Sequence, residues 1–109
     1  MKGKNMKLIT KELQKNIPAI YSTEEIPLND KIAVAKFFNP CGAGTWYVIE
    51  GQVEDDGDFL CFGLVDLHEK EFGYFSVGEL ESIRLPFGLT IERDLHFVPK
   101  AIGEIRGDG

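Results

Sequence analysis

The sequence predicts an α+β fold in which an antiparallel four- to five-stranded meander sheet packs with two short helices. Four strand-like segments follow one another after residue 31, and the intervals between them have the length of hairpin turns. Connections this short place neighbouring strands antiparallel, because a parallel crossover needs roughly a dozen residues or more. Helix N-cap signals at Thr10 and Ser76 lie before and after the strand region.

The four strands are expected at residues 32–38, 45–50, 59–65 and 72–75. In the third strand both alternating sets of side chains are apolar, so both faces should be covered and Cys61 should be a small buried hydrophobe. Gly63 and Gly73 interrupt these strands, which indicates a bulge or close packing against a neighbouring ring. Residues 89–97 are expected to return along the sheet as an extended segment.

Two short helices complete the predicted fold. Thr10 can cap a helix over residues 10–16, whose apolar side chains recur at helical spacing before Pro18 ends it. Ser76 and Glu79 have the spacing of a capping box, in which each residue binds the amide of the other. This spacing predicts that a second helix starts at Ser76.

The sequence predicts a single domain. Its 109 residues, 43% of them hydrophobic, suffice for a single core. The domain is expected at residues 6–99, with residues 1–5 as a flexible N-terminal extension and residues 100–109 as a flexible C-terminal tail. No apolar run approaches the roughly 20 residues that span a bilayer, and no secretory signal is visible. The sequence therefore predicts a cytoplasmic protein with no membrane partner.

Acidic charge is concentrated in the middle of the sequence. The net charge is −6, and residues 50–81 hold ten acidic residues and one lysine. Because such a segment repels phosphate backbones, nucleic acid is disfavoured as a partner. One acidic turn in this segment is either a solvated loop or a face for a basic partner protein. Its acidic residues are Glu54, Asp55, Asp56 and Asp58.

Several stretches carry a resemblance to a known family. They are residues 6–13, then Lys36-Phe-Phe-Asn-Pro40 with Thr45-Trp-Tyr-Val48, and above all Phe72-Gly-Tyr-Phe-Ser76 through Glu79-Leu-Glu-Ser-Ile-Arg84, Pro86-Phe-Gly88 and Glu92-Arg-Asp-Leu-His-Phe97. Through them the sequence resembles the uncharacterised bacterial family known as domain of unknown function 2958. The resemblance implies a small accessory protein of the kind found on plasmids, phages and conjugative elements. One departure is the turn Cys41-Gly-Ala-Gly44, where relatives tend to carry a more polar or aromatic turn.

The densest polar cluster lies in the part of the chain that carries most of this resemblance. Its members are Arg84, Glu92, Arg93, Asp94 and His96. An arginine with two carboxylates and a histidine can grip an anion or transfer a proton. The alternative is a network of ion pairs that fixes an irregular segment to the sheet. No motif places a nucleophile beside a base, and Cys and His are scattered singly, so we expect no catalytic residue, no metal and no cofactor.

Exposed aromatic side chains offer a second kind of candidate site. Two short helices barely cover a four-stranded sheet, so part of one sheet face is expected to be open. On such a face, Trp46 or Tyr74 beside Arg84 would suit a flat ligand or a partner protein.

These observations support three functional hypotheses. The first is a non-enzymatic protein-binding module of mobile genetic elements that acts on a host protein, such as a component of a defence system. The second is a small-ligand or nucleotide-binding domain. The third is a small enzyme that uses the cluster of Glu92, Asp94 and His96. An unpaired edge strand would also allow a homodimer.

Overall fold

Seven strands and three helices make up the described part of the chain. The computed structural model describes residues 7–107, so the predicted extension at residues 1–5 lies outside the described residues. In chain order the elements are α1 (Lys11–Asn16), β1 (Ile32–Ala33), β2 (Ala35–Phe38), β3 (Thr45–Val53), β4 (Phe59–Asp66), β5 (Lys70–Ser76), α2 (Val77–Ser82), β6 (Glu92–Arg93), β7 (Lys100–Ala101) and α3 (Ile102–Arg106). Short 3-10 helices lie at Leu28–Asp30 and Pro86–Gly88.

Strands β2 to β5 form the predicted antiparallel meander, and β6 adds a fifth strand. The strand order is β5-β4-β3-β2-β6, and every neighbouring pair is antiparallel. The extended segment predicted at residues 89–97 supplies β6, in which Arg93 pairs with Phe37 of β2. The predicted α+β class and antiparallel sheet are therefore confirmed.

The structure differs from the prediction at the two ends of the strand region. The predicted strand at residues 32–38 divides at Val34, because β1 leaves the main sheet and pairs antiparallel with β7. Residues 100–107 are not a free tail, since they form β7 and α3 and the Ile102 side chain is fully buried. The Ile102 amide also donates to the Lys31 carbonyl oxygen at 2.9 Å. Elements this short leave too little apolar periodicity to be recognised in the sequence.

Side-chain hydrogen bonds cap the N-termini of the two predicted helices. Thr10 Oγ1 accepts a hydrogen bond from the Leu13 amide at 3.1 Å and starts α1. Ser76 Oγ accepts from the Glu79 amide at 3.2 Å and starts α2, which is one half of the predicted capping box. All three helices are short, and no helix within residues 7–107 has the length and apolar composition needed to cross a membrane.

The two faces of the main sheet are covered to different extents. The face that carries the main core has the buried strand residues Ala35, Phe37, Trp46, Val48, Phe59, Cys61 and Phe75. Leu8, Ile17 and Leu80 are among the residues that cover it, and they come from the segments around α1 and from α2. The second face carries Tyr47, Ile49, Phe62, Leu64 and Phe72. Ile102 and Ile105 of α3 cover part of this second face.

Cys61 lies in the interior strand β4 and is the predicted buried hydrophobe. Its side chain is fully buried, and Cys61 pairs with Phe75 of β5. Burial, followed by the nearby charge of Asp58, raises the pKa of the Cys61 thiol to about 12. Phe62, next along the strand, is partly buried on the other face. Cys61 is therefore a packing residue, because a thiol with so high a pKa is not a nucleophile.

A β-bulge interrupts β3 opposite Gly63. The pairing with β4 passes from Val48 with Gly63 directly to Glu50 with Phe62, so Ile49 is the extra residue. A bulge shifts the alternation of side chains by one residue. Glu50, which regular alternation from Val48 would place in the main core, therefore lies on the second face beside Phe62.

Close contact with the backbone explains why position 63 is a glycine. A Cβ atom on Gly63 would overlap the carbonyl oxygen of Tyr47. A Cβ atom on Gly73, the residue directly across on β5, would meet no atom within 4 Å. The predicted bulge is thus confirmed beside Gly63, whereas Gly73 has open space and no ring packed on it.

Gly63→Ala and Gly73→Ala form a matched pair, because the two glycines face each other across β4 and β5. We expect Gly63→Ala to lower the free energy of unfolding by about 3 kcal/mol or more, since the new methyl group forces the bulge apart. Gly73→Ala should change it by less than about 1 kcal/mol. Urea unfolding followed by circular dichroism measures both values. Equal effects of the two substitutions would contradict the close contact at Gly63.

Candidate functional site

The two predicted aromatic site residues lie on opposite faces of the sheet. Trp46 points into the main core, where only 8% of its surface is exposed. It therefore fills the core and offers no ring to a ligand. Tyr74 pairs with Phe62 of β4 on the second face, and 52% of its surface is exposed. Of these two predicted residues, Tyr74 is the one that a ligand or partner can reach.

The two predicted arginines bind main-chain carbonyl groups. Arg93 Nη1 donates to the carbonyl oxygen of Leu8 at 2.9 Å and to that of Lys7 at 3.4 Å. These bonds fix the N-terminal segment against β6. Arg84 Nη1 donates to the carbonyl oxygen of Glu81 at 3.0 Å, just beyond the end of α2. Both guanidinium groups therefore have structural contacts.

Within residues 7–107, no hydrogen bond between two side chains joins the predicted cluster of Glu92, Asp94 and His96. Strand alternation places Glu92 and Asp94 on the opposite side of β6 from Arg93. Asp94 forms an ion pair with Lys36 at 3.7 Å, and Asp94 Oδ1 accepts from the His96 backbone amide at 2.9 Å. These contacts agree with the structural alternative, in which charged residues fix an irregular segment to the sheet.

A cleft of about 640 Å³ separates α1 from the segment that follows β6. Its lining includes Leu13, Val34, Arg93, Asp94 and Phe97. Small-molecule sites have volumes of roughly 300–1,000 Å³, so this cleft has room for a ligand. It is the feature of the structure that most favours the small-ligand hypothesis.

Asp58, from the predicted acidic face, has a structural role. Its carboxylate accepts hydrogen bonds from the Ser76 hydroxyl, from the Gly78 amide at 2.8 Å and from the Phe59 amide at 2.7 Å. The bond from Ser76 contributes most, and together these bonds lower the pKa of Asp58. Asp58 therefore joins the start of β4 to the start of α2.

The other three acidic residues lie on the hairpin turn between β3 and β4. Asp56 Oδ1 accepts from the Asp58 amide at 2.9 Å, and Glu54 Oε2 accepts from the Gln52 side chain at 2.9 Å. Asp55 is exposed. Across the described part of the chain, no group of three or more His, Cys, Asp or Glu side chains is arranged to hold a metal ion.

A partly exposed aromatic group combines two side chains of the second sheet face with Tyr21 from the loop between α1 and β1. Phe62 and Tyr74 lie across β4 and β5 from each other with ring centroids 5.2 Å apart. The Tyr74 phenol lies close to the side chain of Tyr21, which is 64% exposed. We call Tyr21, Phe62 and Tyr74 the aromatic face.

Tyr21 has a backbone conformation that few residues other than glycine adopt. Its φ angle is 72°, in the left-handed region, where a bulky residue costs roughly 1–3 kcal/mol. The Glu50 carboxylate accepts from the Tyr21 amide at 2.8 Å and stabilises this conformation. This bond therefore fixes the backbone of Tyr21, whose side chain lies near Tyr74.

Glu50 is a buried carboxylate at the base of the aromatic face, with 3% of its surface exposed. It also accepts from the Thr23 amide at 3.0 Å and from the Thr23 hydroxyl. Lys31, itself buried, donates to the Thr23 carbonyl oxygen and, at 3.0 Å, to the Thr23 hydroxyl. Burial favours the neutral acid, but these hydrogen bonds and the Lys31 charge outweigh it and lower the pKa of Glu50. Glu50 is thus a buried anion that fixes the loop containing Tyr21 to the sheet.

Negative charge surrounds Tyr74. The neighbouring Tyr21 side chain, followed by partial burial and the charges of Glu50 and Glu24, raises the pKa of the Tyr74 phenol. Glu24 and Glu25 are exposed in the same loop as Tyr21. The aromatic face is therefore apolar at its centre and acidic at its margin.

Comparison with models of known protein families shows to which family this chain belongs. A family model described as "Protein of unknown function (DUF2958)" matches residues 8–102. The chain belongs to the DUF2958 family. The match includes every strand of the main sheet and all three residues of the aromatic face, and the resemblance noted in the sequence is confirmed. No curated protein and no solved structure matches this DUF2958 chain.

Tyr21 and Glu50 of this DUF2958 protein are not among the site residues that the sequence predicts. Glu50 does carry a signal, because regular alternation from Trp46 and Val48 would bury its carboxylate in the main core. A charged residue at a core position, directly after two apolar residues, indicates a bulge. Tyr21 carries no comparable signal, since its position depends on the hydrogen bond to Glu50.

Replacing Glu50 by glutamine should destabilise this DUF2958 protein at neutral pH by roughly 1–3 kcal/mol. Glutamine presents an N–H group where the carboxylate accepts hydrogen bonds, and it leaves the buried Lys31 without a nearby anion. Because folding lowers the pKa of Glu50, its contribution is complete above the unfolded pKa of roughly 4.3 and is lost as the pH falls through the folded pKa.

The difference in free energy of unfolding between wild type and Glu50→Gln should therefore shrink between about pH 7 and about pH 3. Urea unfolding at both pH values measures it. Glu24→Gln, which removes an exposed acid from the same loop, is the control and should have little effect on stability. A difference that is as large at the lower pH would show that ionised Glu50 is not the stabilising group.

Proposed function

We propose that this DUF2958 protein is a non-enzymatic protein-binding module and that a partner protein docks on the aromatic face. The observation that carries the proposal is the face itself, where Tyr21 and Tyr74 are more than half exposed beside Phe62. Tyrosine is enriched at protein interfaces, because its ring buries apolar area while its hydroxyl keeps a polar contact.

The preset geometry of the aromatic face supports a binding role. Association costs roughly 0.5–1.5 kcal/mol for each flexible side chain that it immobilises. The bond from the Tyr21 amide to Glu50 already fixes the backbone that carries the Tyr21 ring.

The proposed partner is a host protein met by mobile genetic elements. The sequence resemblance implies an accessory protein of plasmids, phages and conjugative elements, and such proteins act on components of the host cell. The net charge of −6 disfavours nucleic acid as the partner. A component of a host defence system is therefore the class of partner to test first.

A second candidate function is small-ligand binding in the cleft beside α1. The volume of about 640 Å³ and the presence of Arg93 on its wall favour it. We rank it second because Arg93 already binds the Leu8 carbonyl oxygen and Asp94 is paired with Lys36. The enzyme hypothesis has less support, since these same contacts give the predicted cluster a structural role.

A photo-crosslinking amino acid at position 74 tests the proposed function in bacterial cells. The matched control is position 87, because Phe87 is also an aromatic residue, is 95% exposed and lies outside the aromatic face. We expect a covalent adduct of defined mass from position 74 and none from position 87. With the identified partner purified, Tyr74→Ala should weaken binding by about 30-fold, the effect of a tyrosine hot spot worth about 2 kcal/mol.

Phe87→Ala should leave the affinity for the same partner within about twofold, because a substitution outside the contact region has little effect. Adducts that form from position 87 and not from position 74 would contradict the assignment of the aromatic face. Equal losses of affinity for Tyr74→Ala and Phe87→Ala would contradict it as well.

A further inference from the structure

Three aromatic rings on or next to the second sheet face each lie close to a cationic side chain. The three pairs are Lys36 with Tyr47 at 5.9 Å, Lys100 with Phe97 at 5.5 Å and Arg106 with Phe72 at 5.5 Å, measured to the ring centroid. A cation over an aromatic ring is attracted by the negative face of the ring. Contacts between a cation and an aromatic ring therefore recur on this side of the sheet.

The aromatic face continues this row of rings. Phe62 stacks beside Phe72 with ring centroids 6.2 Å apart, and Tyr74 follows on the other side of Phe62. Within residues 7–107, no lysine or arginine stacks on Phe62, Tyr74 or Tyr21. Two acidic residues contact Tyr21 instead: the Glu24 amide donates to the Tyr21 carbonyl oxygen at 3.4 Å, and the Glu50 carboxylate accepts from the Tyr21 amide at 2.8 Å. An open ring bordered by carboxylates attracts a cation more strongly than either feature alone.

Acidic charge extends beyond the immediate margin of the aromatic face. The acidic hairpin ends at Asp58, four residues before Phe62, so it lies roughly 13 Å away along β4. Residues 50–81 together hold ten acidic residues and one lysine. At physiological salt the Debye length is about 8 Å, so these charges attract a basic segment mainly at low ionic strength.

We infer that the segment that docks on the aromatic face is basic and stacks an arginine side chain on Tyr74, with Glu24 as the counter-charge. This inference rests on the proposed function and specifies the partner's chemistry. Arginine is favoured over lysine, because its planar guanidinium lies flat on a ring while its N–H groups bind carboxylates in the plane. Arg106 on Phe72 is the example that this fold already contains.

A peptide titration of the full chain tests the inference directly. The probe is a seven-residue peptide of glycine and serine with two arginines, and the control replaces both arginines by citrulline, which has the same shape without the charge. In ¹H–¹⁵N spectra at low salt, the arginine peptide should shift the amide resonances of Tyr21, Glu24, Phe62 and Tyr74. The citrulline peptide should bind at least about tenfold more weakly, the equivalent of about 1.4 kcal/mol.

Substitutions distinguish the contribution of the Tyr74 ring to peptide affinity from that of the surrounding surface. Tyr74→Ala should weaken binding of the arginine peptide by about five- to tenfold. Tyr74→Phe keeps the ring, so its affinity for the peptide should stay within about threefold of the wild-type value. Glu24→Gln should weaken binding and reduce its dependence on salt. Phe87→Ala should have no effect. Dispersed spectra of each variant establish that it is folded.

Equal binding of the arginine and citrulline peptides would overturn the inference. So would unchanged binding by Tyr74→Ala, or resonance shifts confined to residues outside the aromatic face. If the arginine peptide does not bind while crosslinking from position 74 still captures a partner, the arginine inference is wrong and the protein-binding function stands. If the arginine peptide binds at Tyr74 while crosslinking places the partner at position 87, the inference holds for the ligand class and the proposed function is wrong.

Discussion

A one-residue bulge in β3 determines how the second face of the sheet is arranged. Regular alternation from Val48 would direct the Glu50 carboxylate into the main core, and an unpaired charge in an apolar core costs several kcal/mol. The bulge at Ile49 turns Glu50 to the opposite face instead. It is possible because Gly63 on the neighbouring strand has no Cβ atom to collide with the displaced backbone.

The position of Glu50 then determines the conformation of the loop that precedes the sheet. Its carboxylate accepts hydrogen bonds from Tyr21 and Thr23, and Thr23 in turn binds the ammonium group of Lys31. This arrangement keeps two buried charges compensated and sets the Tyr21 ring beside Tyr74. A single irregularity in one strand therefore links the stability of the fold to the exposed surface for which we propose a function.

Most of the fold is predictable from the sequence, whereas the candidate site is only partly so. Local signals suffice for the meander and for the caps at Thr10 and Ser76, because alternation and capping depend on residues near one another in sequence. They do not reveal that Trp46 is buried, since a strand pattern alone does not say which face carries the larger core. Tyr21 is not predictable for a related reason: its contact with Glu50 joins residues far apart in the chain.

Interstrand nuclear Overhauser effects between β3 and β4 measure the bulge itself. The pairing described above requires contacts between the backbone protons of Glu50 and Phe62, and between those of Gly51 and Cys61. An uninterrupted ladder from Val48 and Gly63 would instead pair Ile49 with Phe62 and Glu50 with Cys61. Observation of the first set places Glu50 beneath the aromatic face. Observation of the second set would place it in the main core and remove the basis for that face.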